Sequence, residues 1–351
     1  MNNGTNNGMN NGTNNETSNE TSHETSNVLS KETAGTVGSA GAGATTTAIG
    51  VYGKVRSQPD FLRANAGEFS QAGLDRWFQD AVELVRSEKT TLPPGPTSFV
   101  LTPSTSRYAF VGAFVPGVDA AGRVFPLSVF ATISASDLIN TLPAVPARFA
   151  RFVEGAGAIA LAGAELSGPD LVAHAQALAI DAPVPPTQAE AQDVIAGLGE
   201  ESAQILAGAM GGARPSLGYA LRTCALACDQ AAKTGPVGQG GVITVDAPAP
   251  SIATRILWLE LARRRLKWRD AGPSLLWTSG ETPRLLMTLG YPAPAALAYL
   301  ANPRHRAPRF WPLRTEVGAA IESAMKALSP EQRRLVENPR STLAELLTAF
   351  S

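Results

Sequence analysis

The stretch Phe114-Val-Pro-Gly-Val-Asp-Ala-Ala-Gly-Arg-Val-Phe-Pro-Leu127 joins two apolar runs, residues 108–115 and 124–133, that are rich in Val, Phe and Ile. These residue types favour β-strands. The residues between the runs that favour a turn are Pro116, Gly117, Asp119 and Gly122. Pro fixes φ, Gly allows a positive φ, and Asp can bind its own downstream backbone. The stretch therefore predicts a β-hairpin with a long tip, across which Asp119 and Arg123 can pair.

A longer pattern within this stretch resembles the central signature of a known family. The pattern is Pro116-x-Val118-Asp119-x-x-Gly122-Arg123-x-Phe125-Pro126-Leu127. It is similar to that of the TagF/ImpM proteins, which are accessory proteins of bacterial type VI secretion. The family usually has Ser after the first Pro, where this chain has Gly117.

Two further segments resemble the same family. Gly53-Lys54 followed by Pro59-Asp-Phe61 is similar to an opening Gly-x-Tyr-Gly-Lys motif and a Gly-Asp-Phe motif. Pro59 stands in place of the Gly of Gly-Asp-Phe, and Arg56 stands in place of a usual Pro. Ser274-Leu-Leu-Trp-Thr-Ser-Gly280 resembles a C-terminal Ser-x-Trp-Trp-x-x-Gly strand and turn, with Leu in place of one Trp. The resemblance spans about residues 48–303.

The positions that match the family's signature are the candidate partner-binding residues. They are Gly53, Lys54, Asp60, Phe61, Trp77, Arg107, Pro116, Asp119, Gly122, Arg123, Phe125, Pro126, Trp277 and Gly280. Trp77 also belongs to an apolar stripe at helical spacing over residues 69–85, which predicts that this side chain is a core anchor.

Composition favours a protein that neither binds nucleic acid nor inserts into a membrane. The 351 residues carry a net charge of −1, so they lack the basic footprint of a nucleic-acid-binding protein. The longest weakly polar run, residues 155–164, is far shorter than the ~20 residues that a membrane-spanning helix needs. The N-terminus has neither the basic nor the apolar region of a signal peptide, so a cytoplasmic location is expected.

The domain plan follows from changes in composition along the chain. Residues 1–46 are Asn/Gly/Thr and Asn/Glu/Thr/Ser repeats, which are expected to form a disordered tail because they cannot bury enough apolar surface. Residues 47–303 are expected to form one TagF-like α/β domain, with sheet-forming parts at 47–135 and 241–303. The helical middle, residues 136–240, is Ala-rich, and residues 304–351 are expected to form a helical C-terminal extension.

The predicted fold class is an α/β sandwich, in which helices flank a mostly antiparallel mixed sheet of about six strands. Four helices are predicted in the middle region, at residues 143–164, 169–179, 188–210 and 216–233. Cys224 and Cys228 lie at i and i+4 of the last of these and are predicted to be buried thiols. The Arg263–Arg265 run could bind phosphate, but a solvated face near the end of a helix is favoured.

The sequence offers little that predicts catalysis. It contains no Gly-x-Ser-x-Gly elbow, phosphate-binding Gly-x-x-x-x-Gly-Lys loop or dinucleotide fingerprint, and no metal site or cofactor is expected. The most suggestive polar set is Lys54, Asp60, Asp119 and Arg123. These residues either form a structural ion-pair network or bind an anionic ligand or an acidic loop of a partner. A deep pocket lined by all four would favour a ligand, whereas mutual pairing on a flat face would favour the network.

The resemblance implies a function that the residues alone do not. Proteins of this family are described as cytoplasmic regulators that restrain type VI secretion assembly after translation by binding a forkhead-associated scaffold protein. The resemblance therefore implies a protein partner of that kind. A non-enzymatic role is expected for this chain because its residues offer no catalytic constellation. The alternative is an enzyme for a small-molecule or phosphate ligand, built on Lys54, Asp60, Asp119 and Arg123.

Overall fold

The computed structural model describes residues 48–178, 184–237, 242–269, 271–305 and 307–351. The tail predicted over residues 1–46 lies outside the described residues.

A single sheet runs through the described residues. Its nine strands are β1 (Gly50–Gly53), β2 (Leu62–Ala64), β3 (Thr97–Leu101), β4 (Tyr108–Val118), β5 (Val124–Ser134), β6 (Thr244–Pro248), β7 (Ser274–Thr278), β8 (Arg284–Thr288) and β9 (Phe310–Pro312). Their order is β2-β1-β5-β4-β3-β7-β8-β6-β9. The β6–β9 pair is parallel and the other neighbouring pairs are antiparallel. The mostly antiparallel mixed sheet is thus confirmed, but the prediction of about six strands was too low, because three-residue strands such as β2 and β9 show no alternating pattern.

The hairpin of β4 and β5 is the longest pairing in the sheet. Its register runs from Tyr108 opposite Ser134 to Val118 opposite Val124. The predicted long tip was wrong, since Pro116 and Gly117 lie within β4 and the tip consists of residues 119–123 alone. Pro116 faces Pro126 on one rung, so two residues without an N–H share a single position in the ladder.

Fourteen α-helices occur among the described residues. They are α1 (Gly67–Gln71), α2 (Leu74–Ser87), α3 (Ala135–Ile139), α4 (Val145–Arg148), α5 (Ala150–Ala162), α6 (Gly168–Ala177), α7 (Gln188–Ala196), α8 (Gln204–Ala209), α9 (Arg214–Thr234), α10 (Ile252–Leu266), α11 (Ala295–Ala301), α12 (Gly318–Lys326), α13 (Pro330–Glu337) and α14 (Leu343–Phe350). In the described residues, no helix combines the length and apolarity needed to cross a bilayer.

Apolar side chains alternate along β4 between two clusters. Val111 and Ala113 belong to a large cluster that includes residues of α5, α9 and α10. Phe110 and Phe114 belong to a smaller, aromatic-rich cluster with residues of α1, α2 and α11. The sheet therefore lies between two helical layers, and the predicted α/β sandwich is confirmed.

Several predicted helices are interrupted. The helix predicted over residues 143–164 breaks at Phe149, whose backbone leaves the helical region. The helix predicted over 188–210 ends where Gly197 and Gly199 weaken helix propensity, and Ser202 then bridges to Thr342. The stripe predicted over residues 69–85 is likewise divided into α1 and α2 by Gly73, which has a φ of +75°.

The C-terminal segment departs from a purely helical extension. Strand β9 extends the sheet beyond the range predicted to form it. The remainder of the segment is helical as predicted, and α13 is capped by Ser329 and starts at Pro330. Helices α12 and α13 pack against α9, and α14 packs against α10.

Candidate functional site

The first two signature motifs meet at one end of the sheet. Strand β1 runs antiparallel to β5 with Tyr52 opposite Ser128, so the chain leaves β1 beside the hairpin tip. The segment that follows, residues 54–61, packs along this tip. We refer to residues 54–61 and 119–123 together as the tip–loop unit.

Asp119 is the centre of the tip–loop unit. This residue is only 2% exposed, and its carboxylate accepts four hydrogen bonds. Oδ2 accepts one hydrogen bond from the Lys54 ammonium and another from Nε of Arg123, which lies 2.7 Å away. Oδ1 accepts from the backbone N–H groups of Ala121, at 3.0 Å, and Arg123, at 2.8 Å. The predicted pairing of Asp119 with Arg123 is confirmed, and a buried carboxylate that has all of these partners is fully satisfied.

The pKa of Asp119 is set by two opposing effects. Burial alone would raise the pKa of this carboxyl group. The hydrogen bonds from Lys54 and Arg123, together with the positive charge of Arg123, outweigh burial and hold the pKa well below its ordinary value. Asp119 is therefore a carboxylate that remains ionised at neutral pH.

Backbone contacts attach the tip to the neighbouring segment. The N–H of Ala120 donates to the carbonyl of Gln58 at 3.3 Å, and Nη2 of Arg123 donates to the carbonyl of Pro59 at 2.8 Å. Gly122 closes the turn with an N–H that donates to the Asp119 carbonyl at 2.9 Å. Its φ of +77° is the left-handed conformation that favours glycine, as the turn pattern predicted.

Two glycines allow the backbones to approach closely. A methyl group at Gly53 would collide with the carbonyl oxygen of Pro126, and one at Gly117 would collide with that of Lys54. The glycine at position 117, where the family usually has Ser, therefore lets the segment after β1 lie directly on β4.

Phe61 closes the unit on its other side. Its ring stacks on Tyr52 with centroids 5.4 Å apart and meets Phe125 edge-on at 4.8 Å. The Lys54 ammonium lies 4.9 Å from the centroid of the Phe61 ring. Lys54 thus sits between a carboxylate and an aromatic face, both of which stabilise a buried positive charge.

The four polar residues predicted to converge do so only in part. Lys54, Asp119 and Arg123 pair with one another. Asp60 does not join them, because its side chain is exposed and its carboxylate has no hydrogen bond or ion pair within the described part of the chain. The adjacent cavity, of about 110 Å³, is lined by Lys54 but by none of the other three. This geometry is that of a structural ion-pair network.

The remaining signature residues are spread over the sheet. Trp77 is buried on α2 and meets Phe78 edge-on at 4.9 Å, so its predicted role as a core anchor is confirmed. Trp277 is buried on β7, and Gly280 has a φ of +113° in the turn after that strand. Arg107 is exposed and binds the Tyr108 hydroxyl at 2.9 Å. Because Tyr108 begins β4, Arg107 lies at the opposite end of the sheet from the tip.

Sequence reasoning missed three residues near the tip. Gln58 supplies the carbonyl that holds Ala120, a role that no side-chain pattern indicates. Val124 and Leu161 are both apolar and nearly half exposed, and Leu161 lines the small cavity beside Gly117. The sequence did offer a signal for Val124, because this apolar residue directly follows the Gly122-Arg123 turn.

The basic run on α10 is not a free phosphate patch, because its arginines are paired with acids, and the predicted solvated face holds for Arg263, which is exposed. Arg263 and Arg264 both bind the buried carboxylate of Glu260, at 2.6 and 2.7 Å. Arg265 binds Asp229 on α9 at 2.8 Å. These arginines are therefore paired with Glu260, which is buried, and with Asp229, which is nearly half exposed. The predicted burial of Cys224 and Cys228 on α9 is also confirmed.

Residues 50–178, which run from β1 through α6, match the family model of the TagF N-terminal domain, described as type VI secretion system-associated. The resemblance to TagF is thus confirmed for this stretch. The matched range contains the whole tip–loop unit, Trp77 and Arg107, whereas Trp277 and Gly280 lie beyond it.

Among solved structures, the chain is similar to PA0076 from Pseudomonas aeruginosa PAO1, with 18% sequence identity and a TM-score of 0.42. The likeness covers 74% of this chain and 96% of that one. No curated protein matches the chain significantly.

Proposed function

We propose that this protein is a non-enzymatic, cytoplasmic regulator of type VI secretion that represses assembly after translation by binding a forkhead-associated scaffold protein. The observation that carries the proposal is the match of residues 50–178 to a type VI secretion-associated domain. A binding role is supported because three of the four polar residues considered for a reaction, Lys54, Asp119 and Arg123, are engaged with one another inside the tip–loop unit.

The tip–loop unit is the binding face in this proposal. Its internal hydrogen bonds and ion pairs hold two loops in one geometry, and such preorganisation lowers the entropic cost of association. The exposed side chains on this face include Arg56, Asp60 and Arg123 of the unit and Val124, which directly follows the unit at the start of β5. An exposed apolar residue flanked by charges is a combination that suits a protein partner.

The test is the dependence of secretion on the amount of this protein in its native bacterium. A stoichiometric repressor should suppress type VI secretion in proportion to its level, and deletion of the gene should raise secretion. The alternative, an enzyme, would be supported if the protein turned over any substrate many times. Asp60→Ala would have to abolish this turnover while circular dichroism shows an intact fold. That result would overturn the binding proposal.

A further inference from the structure

A second candidate site lies outside the TagF N-terminal domain. It is a cleft of about 910 Å³ between the start of α9, strand β9 and the segments on either side of β9. The residues that line it include the apolar Met210, Pro303 and Pro312 and the polar Ser216 and Tyr219. A volume of this order is usual for sites that bind small molecules or cofactors.

The cleft carries positive charge that the protein does not neutralise. Arg304 and Arg314 line it, and neither side chain has an ion-pair partner among the described residues. The acid whose charge acts on Arg314 is Asp246, but Asp246 is held by Arg284 through two hydrogen bonds of 3.0 and 2.9 Å. The charge of Asp246 is therefore already balanced by Arg284 and does not neutralise Arg314.

Both arginines are exposed at the cleft, so their charges are open to a ligand. The protein atoms around Arg314 still remove part of its hydration, which lowers the pKa of its guanidinium. An anion in the cleft would restore the lost stabilisation through charge-assisted hydrogen bonds. Glu316 also lines the cleft, so the two arginines outnumber the acid on the lining.

Helix α9 adds to the positive electrostatic potential at the cleft. It is 21 residues long, begins at the cleft, and has no side chain that caps its first turn. Gly211, which lines the cleft, and Gly212 precede it with φ values of +81°, so no side chain of these two residues shields the start of the helix. The positive end of the helix dipole thus lies on the same side as the arginines.

We propose that this cleft binds a phosphate-bearing small molecule with a planar ring, of the nucleotide class. The phosphate contacts Arg304 and Arg314. The ring packs on Tyr219, which makes no ring contact with another aromatic residue in the described part of the chain, and on Met210. This site is separate from the four-residue loop site considered from the sequence, and it does not depend on the tip–loop unit.

The experiment is isothermal titration calorimetry of the full chain with ADP, adenosine and inorganic pyrophosphate. ADP should bind, adenosine should bind at least about tenfold more weakly, and pyrophosphate should compete with ADP. Arg314→Gln and Arg304→Gln should each weaken ADP binding by about tenfold, the effect expected for one charge-assisted hydrogen bond. The matched control is Arg76→Gln, which removes an exposed positive charge on α2, away from the cleft lining.

Three outcomes would overturn the proposal. The first is no binding of ADP or pyrophosphate to the wild-type chain. The second is ADP binding that neither arginine variant weakens relative to Arg76→Gln. The third is equal affinity for ADP and adenosine, which would show that the phosphate makes no contribution. Binding of an acidic peptide without ADP binding would identify the cleft as a protein contact instead.

Discussion

The ammonium of Lys54 and the carboxylate of Asp119, 65 residues apart in the sequence, form a buried ion pair that joins the segment after β1 to the hairpin tip. Each residue belongs to a different signature motif. The pair therefore explains why both motifs occur in one domain: the first supplies the cation and the second supplies the carboxylate and the turn.

Loss of the Lys54 ammonium should destabilise the fold. Lys54→Met keeps the length of the side chain but leaves the buried Asp119 carboxylate with one cation fewer. We expect a loss of about 1–3 kcal/mol in the free energy of unfolding, measured by urea denaturation. Arg56→Met, a nearby exposed charge, is the control and should change little. Equal effects of the two substitutions would show that the Lys54–Asp119 pair contributes nothing specific.

The tip turn should not tolerate a β-branched residue. Gly122→Val forces a residue with a Cβ into a φ of +77°, so we expect a loss of about 1 kcal/mol or more. Gly95→Val is the matched control. A Cβ at Gly95 would also have no neighbouring atom in contact, but the φ of Gly95 is not in the positive range. A Gly122→Val variant as stable as Gly95→Val would contradict the assigned turn geometry.

The usual family residue should be unfavourable at position 117 of this chain. Gly117→Ser places a Cβ against the Lys54 carbonyl oxygen, which is backbone and cannot move without displacing the segment after β1. We expect a loss of about 1–3 kcal/mol from overpacking, read from thermal denaturation and compared with Gly95→Ser. Unchanged stability would mean that the segment moves away from β4 at no cost.

Acid should remove the contribution of Asp119 to stability. Its pKa is lowered in the folded state, so the folded chain binds fewer protons than the unfolded chain at low pH. The contribution is fully present above the ordinary Asp pKa of about 3.9 and is lost as the pH falls toward the folded value. Urea midpoints measured from about pH 5 downward should fall less steeply for Asp119→Asn than for wild type. If the urea midpoints of Asp119→Asn and wild type fell equally steeply with pH, Asp119 would not be the lowered-pKa carboxylate assigned here.

Local patterns in the sequence were sufficient to predict the hairpin and its central pair. Alternation of Val, Phe and Ile defined β4 and β5, and the spacing of Asp119 and Arg123 across a Gly-containing turn indicated that they could pair. Trp77 was also predicted correctly, because its neighbours repeat at helical spacing.

Other features depend on contacts between distant parts of the chain. Pro116 and Gly117 have turn propensity, yet they lie in β4 because Pro126 and Phe125 face them across the ladder. Strand β9 consists of Phe-Trp-Pro and exists because β6 offers it an edge. Asp60 was grouped with Lys54, Asp119 and Arg123 because it lies in a loop at the end of a strand. Its side chain is exposed, since tertiary packing decides whether a loop side chain points inward and the sequence alone does not show that packing.

The most direct test of the central claim, that the tip–loop unit is the partner-binding face, is the affinity of purified protein for the forkhead-associated scaffold of the same secretion system. Val124 is 48% exposed, so Val124→Glu should leave the fold intact while it alters this face. Leu226→Glu, at a residue that is 44% exposed on α9, is the matched control. The wild type and Leu226→Glu should bind alike, and Val124→Glu should bind at least about tenfold more weakly. Equal affinities for all three folded proteins, or no binding by the wild type, would contradict the claim.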